Sequence, residues 1–113
     1  MSDRPDLILL LDIKFAIEKI NSYIVDIDYN EFSKNELIRD AVERNIEIIG
    51  EACSKISIAF QQKFNSIEWH KPISMRNRLM QGYFSVDIPM LWNTITKILP
   101  EFYVQINPVQ KSI

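Results

Sequence analysis

The densest run of side chains that could do chemistry is Met75-Arg76-Asn77-Arg78-Leu79-Met80-Gln81-Gly82-Tyr83. On a helix, Arg76 and Tyr83 are seven residues apart and face nearly the same way, and Arg78 and Gln81, three apart, are neighbours. One exposed strip would present two guanidiniums, a carboxamide and a phenol. That set grips phosphate and stacks on bases. The stretch is also locally basic. Residues 60–85 hold Lys63, Lys71, Arg76 and Arg78 against one acid, Glu68, in a chain of formal net charge −2. Spacing alone leaves a plainer reading in place: a solvated helix face whose arginines pair with acids on another helix.

Other residues offer less. The lone His70, between Trp69 and Lys71-Pro72, excludes a two-histidine metal site and reads as a structural or exposed connector residue. The lone Cys53 excludes an intramolecular disulfide and a cysteine-based zinc site, and it falls on an apolar stripe as a small buried residue. Asp26 and Asp28 lack a third carboxylate beside them, which argues against a metal site. Glu43, Glu47 and Glu51 recur every four residues. They form a solvated acidic face or a partner for arginines across the fold. Trp69 and Trp92 read as core.

The elements that must position these groups are helical. The 113 residues suffice for one domain, 1–113, and 47% apolar with 25% charged residues is enough to bury a core. Two glycines and five prolines leave few turns. Leu10, Ile13, Ile17, Ile20, Ile24 and Ile27 recur at helical spacing and predict a first helix over about 6–26. Leu7, Ile8, Leu9 and Leu11 lie off that stripe, so this helix needs more than one neighbour. Ser33 with Glu36 has capping-box spacing and predicts the start of a second helix. Its face is Ile38, Val42, Ile46, Ile49, Cys53 and Ile56, with Asn45 as a polar residue beside it. Gly50 in mid-helix costs about 1 kcal/mol relative to Ala, which the close approach of another helix would explain.

Residues 60–72 read as a connector anchored by Phe64, Ile67 and Trp69. A third helix follows over about 73–83, with Pro72 in its first turn and Gly82 near its end. Asp87 caps a fourth, which Pro100 should kink or end, and the tail after 106 reads as frayed. The expected fold is all-α, a four- to five-helix up-down bundle. No apolar run reaches membrane-spanning length, and the first residues lack a signal-peptide pattern, so a cytoplasmic protein without a membrane partner is expected. A pI near 5.4 argues against a general nucleic-acid coat.

Several blocks in this order resemble one family. They are Arg39-Asp40-Ala41-Val42-Glu43-Arg44, Ile48-Ile49-Gly50-Glu51-Ala52, Trp69, Met75-Arg76-Asn77-Arg78-Leu79, Gly82-Tyr83-Phe84-Ser85-Val86-Asp87 and Leu91-Trp92. Together, over about residues 6–102, they are similar to the HepT-like branch of the HEPN superfamily. The resemblance implies a helical-bundle homodimer, a metal-independent endoribonuclease with no cofactor, and a toxin regulated by a minimal nucleotidyltransferase antitoxin.

The motif of that family is Arg, four residues, His, one residue, Tyr. Arg76 takes the Arg position, Tyr83 the Tyr position, and Asn77 fits the polar residue that often follows the Arg. Gln81 stands where His is expected. Imidazole titrates near neutral pH and can take or give a proton; a carboxamide cannot. The resemblance therefore implies Arg76 at the scissile phosphate, Arg78, Asn77 and Lys71 as RNA contacts, and Tyr83 as the acceptor of adenylate from the antitoxin. With Gln81 in place, an attenuated or inactive nuclease is expected. A non-catalytic RNA- or nucleotide-binding partner of a nucleotidyltransferase is the alternative, and a purely structural dimerisation module a third.

Overall fold

The computed structural model describes residues 4–82 and 87–111. These form helices α1 (Arg4–Ile24), α2 (Tyr29–Lys34), α3 (Glu36–Lys55), α4 (Ile58–Lys63), α5 (His70–Met80), α6 (Ile88–Asn93) and α7 (Leu99–Lys111). A π-helical turn, Thr94–Ile98, joins the last two. The fold is all-α, as the sequence leads one to expect. α3 packs against both α1 and α5, and α7 lies along α1. No helix among the described residues is long and apolar enough to cross a membrane.

The predicted stripes meet in one core. Leu10, Ile13, Ile17 and Ile20 of α1 pack with Val42, Ile46, Ile49 and Cys53 of α3 and with Leu91, Ile95, Leu99 and Phe102 of the last rod, all buried. The connector anchors hold as read: Ile67 and Trp69 are buried, and Trp69 lies edge-on to Phe60 and Phe102. Its indole Nε1 donates to the Phe64 carbonyl at 3.1 Å. Trp92 is half-buried and packs on Phe32, ring centroids 5.0 Å apart.

Several boundaries differ from the sequence reading. Ser33 does not cap α3. It lies inside the short α2 and donates to the Asn30 carbonyl, while Asn35 is the cap, accepting from Ile38 N at 3.0 Å. Both Ser33 and Asn35 offer a capping oxygen, and α2 claims Ser33 first. The connector contains a further helix, α4, capped by Ser57. α5 begins at His70 rather than Ile73 and ends at Met80 rather than Tyr83. Gly82 takes φ of 78° and bonds its N–H to Leu79 O at 2.9 Å, the left-handed turn that stops a helix.

Asp87 caps α6 as expected, accepting from Met90 N at 3.0 Å. Pro100 does not end the rod. The π turn precedes it, where Thr94 and Thr96 bond back to Met90 O and Trp92 O and loosen the α ladder. Nor does the helix stop at Ile106: α7 runs to Lys111, and Val109 is buried where a frayed tail was expected.

Two polar ties hold the helix ends, and neither has a local sequence signal. Asp6 is buried, and its two carboxylate oxygens accept from Ser57 N and Ser57 Oγ, each at 2.8 Å. Ser57 Oγ in turn accepts from Phe60 N. Glu68 and Gln105 make a reciprocal pair: Glu68 N donates to Gln105 Oε1 at 3.0 Å, and Gln105 Nε2 to Glu68 Oε1 at 2.8 Å.

Candidate functional site

Arg76 is set by a glycine. At Gly50 a Cβ would collide with Arg76 Cβ, and would lie 2.7 Å from Arg76 Cγ and 2.9 Å from the Pro72 carbonyl oxygen. α5 crosses α3 at this point because nothing stands there. The mid-helix glycine thus has the close neighbour its cost implied. The contact turns Arg76 from an exposed strip residue into a half-buried one. Its Nε is buried and has no acceptor among the described residues.

Beside it opens a cleft of about 260 Å³, lined by Arg76 and Met80 of α5 and by Glu47 and Glu51 of α3. Glu47 Oε2 pairs with Arg44 and Glu51 Oε1 with Lys55, both at 3.5 Å along their own helix. No ion pair joins either glutamate to Arg76. Glu43, one turn earlier, is half-buried; desolvation and the nearby Asp40 raise its pKa.

The structure does not gather the predicted strip into this cleft. Asn77 is exposed beside Arg76. Arg78 is exposed and turns towards α6, with Nη1 2.7 Å from Met90 Sδ. Lys71 lies at the start of α5 and pairs with Glu68 at 2.9 Å. Gln81 is exposed at the C-cap of α5, one residue beyond the cleft-lining Met80. Tyr83 lies outside the described residues. His70 is exposed at the opposite end of α5. Cys53 is buried, its thiol pushed up to about 12 by desolvation, so it is inert near neutral pH. Among the described residues no three His, Cys, Asp or Glu side chains cluster as a metal site.

A second groove, about 310 Å³, runs between α1 and α3. Its lining includes Asp12, Phe15, Lys19, Asn45 and Ile48, and also Glu51. Glu51 therefore stands on the ridge between the two clefts. Phe15 is 61% exposed, and Ile8 and Leu11 are about half exposed, so the surplus apolar surface read from α1 stays uncovered in a single copy.

The ribonuclease HepT-like family profile matches residues 13–109. The chain belongs to the HepT-like ribonuclease family. A Methanocaldococcus jannaschii protein provisionally named an RNase is 37% identical over 109 residues, covering 96% of this chain and 100% of the relative. A Thermococcus cleftensis protein provisionally named a ribonuclease HepT is 33% identical over 102 residues, 90% of this chain and 93% of the relative. A Caldanaerobacter subterraneus protein with a provisional RNase name is 31% identical over 101 residues, 89% and 87% of the two chains. No solved structure matches the chain.

The sequence offered Glu43, Glu47 and Glu51 as a solvated face or as partners for arginines across the fold; the structure brings Glu47 and Glu51 to the cleft of Arg76, each paired along its own helix. Their four-residue repeat was visible, but only the α3–α5 contact shows that Glu47 and Glu51 share a cleft with the motif arginine.

Proposed function

We propose that the chain is the ribonuclease subunit of a HepT-type toxin–antitoxin pair, cutting RNA without a metal ion and attenuated here by Gln81. The observation that carries this reading is Arg76, held on Gly50 at a cleft with its Nε buried and unpartnered. A guanidinium so placed suits a scissile phosphate. When the 2′-oxygen attacks, the O2′–P bond forms, the P–O5′ bond breaks, and Arg76 offsets the charge that grows on the phosphate oxygens. The proton leaving the 2′-OH and the proton reaching the 5′-oxygen need a titrating group. Position 81, next to the cleft-lining Met80, is the place for it, and a carboxamide there supplies hydrogen bonds only. Asn77, Arg78 and Lys71 would contact flanking phosphates.

The bare apolar face of α1 supports a homodimer, in which a second copy covers Ile8, Leu11 and Phe15. Tyr83, two residues past Gln81, would accept adenylate from the partner nucleotidyltransferase. The added phosphate would compete with RNA for Arg76.

The test is cleavage of end-labelled RNA in chelator by the wild-type chain, Gln81→His and Gln81→His with Arg76→Ala. Gln81→His should cut about 10²–10⁴-fold faster than wild type, and the double variant should lose that gain. A folded Gln81→His protein that binds RNA without cutting it would instead establish the non-catalytic binding partner, the reading Gln81 favours as it stands.

A further inference from the structure

The cleft at Arg76 is not built for phosphate alone. Of its four lining side chains one is a cation, two are carboxylates and one is a thioether. Two glutamates beside a phosphate site repel the ligand that the arginine attracts, so on electrostatic grounds they weaken a plain RNA grip. They are not tied down in compensation. Each meets its cation through one oxygen at 3.5 Å, in an exposed same-helix pair of little strength. The remaining acceptor sites of both carboxylates are open to a ligand.

A ligand that wants a cation and a carboxylate together carries a phosphate and a pair of adjacent donors. Among the RNA bases only guanine offers the second. Its Watson–Crick edge sets N1–H beside the N2 amine, so one carboxylate can accept from both. Adenine and cytosine place a ring-nitrogen acceptor beside their amine, and that lone pair would face the second carboxylate oxygen. Uracil has one N–H between two carbonyl acceptors. Met80 adds what a base face needs. It is 68% exposed at the cleft, a polarizable thioether with no burial to account for it, and such a side chain packs well on an aromatic ring. Glu47 and Glu51 are one helical turn apart, and Gly50 lies between them, where α5 packs close against α3. The acceptors therefore stand across the helix contact from the guanidinium.

We propose that this cleft selects RNA by reading a guanine next to the phosphate held by Arg76. Glu47 or Glu51 accepts the base's N1–H and N2–H, and Met80 lies against its face. The proposal rests on the ribonuclease reading and adds its specificity: single-stranded RNA with guanine beside the cleavage position.

Binding tests it without requiring turnover. Fluorescence anisotropy is measured on the full chain with labelled ten-nucleotide oligo(U) carrying one central guanine, adenine, cytosine, inosine or uracil. Guanine should bind at least about fivefold tighter than adenine, cytosine or uracil, with inosine, which lacks the N2 amine, in between. Replacing both carboxylates, Glu47→Gln with Glu51→Gln, should abolish the guanine preference while plain oligo(U) binds as tightly or more tightly, since the like charges are gone. A purely structural role for these exposed residues would not invert the two effects. Equal affinity for all five oligonucleotides, still lost in Arg76→Ala, overturns the guanine reading and leaves the ribonuclease reading standing. A guanine preference that survives the double substitution overturns the role of the glutamates. An absence of binding to any of the RNAs overturns both readings.

Discussion

Replacing Gly50 by alanine sets two known effects against each other at one position. In an exposed helix the change gains about 1 kcal/mol, because alanine loses less backbone freedom on folding. Here the new methyl meets Arg76 Cβ in collision, with Arg76 Cγ at 2.7 Å and the Pro72 carbonyl at 2.9 Å. The far end of Arg76 can swing, but its Cβ moves only with the α5 backbone. The Pro72 carbonyl is backbone too, and the Pro72 ring is buried. α5 must therefore shift away from α3, at the cost of about 1–3 kcal/mol typical of overpacking. The clash wins, leaving a net loss of up to about 2 kcal/mol. For a domain of this size each kcal/mol lowers Tm by about 4 °C. The assay is thermal and urea unfolding followed by circular dichroism, with oligo(U) binding on the same samples. Gly50→Ala should melt below wild type and bind RNA more weakly, because Arg76 rides on the displaced helix. A variant that melts above wild type and binds RNA normally would refute the close α3–α5 contact as the support of Arg76.

Asp6→Ala should cost about 2 kcal/mol, since two hydrogen bonds to a buried carboxylate vanish; in urea titrations a midpoint equal to wild type would count against the tie. Cys53 should resist alkylation by iodoacetamide at pH 8 in the native protein and react at once in guanidinium, as burial and a thiol pushed up to about 12 require. Glu68 has its pKa lowered by the Gln105 hydrogen bond and by Lys71. Its stabilising effect is therefore complete above the unfolded carboxylate range and is lost as pH falls through the lower folded value. The stability difference between wild type and Glu68→Gln should be flat from pH 6 to 8 and shrink in acid; a difference that grows in acid would contradict the assigned sign.

Much of the fold was legible because helical cores are periodic. The stripes of α1, α3 and α6–α7 could be read residue by residue, and Gly50 announced a helix contact before its partner was known. The partner itself was hidden, since the register between α3 and α5 is set by tertiary packing and not by spacing along either helix. Ser33 misled because its distance to Glu36 has capping-box spacing, whereas the cap is Asn35, two residues later, which has no Glu or Gln three residues on. The end of α5 was placed too late: Gly82 was noticed, but its left-handed turn stops the helix at Met80. Arg76, the motif arginine, was visible in sequence. Its half-burial was not, nor was it legible which of the repeating glutamates share its cleft, because both depend on which face of α3 meets α5.

The Asp6–Ser57 tie also bears on the order of events in folding. The tie joins residues 51 apart. The length-dependent part of closing such a loop costs about 3.5 kcal/mol, more than a pair of hydrogen bonds returns. The tie therefore cannot start the collapse. The apolar stripes of α1 and α3 must dock first and bring Asp6 to Ser57, so the bonds form late and act as a latch on a finished structure. Loss of the latch should leave the refolding rate nearly unchanged and speed unfolding. It thus governs how long α1 stays docked on α3 once folding is over.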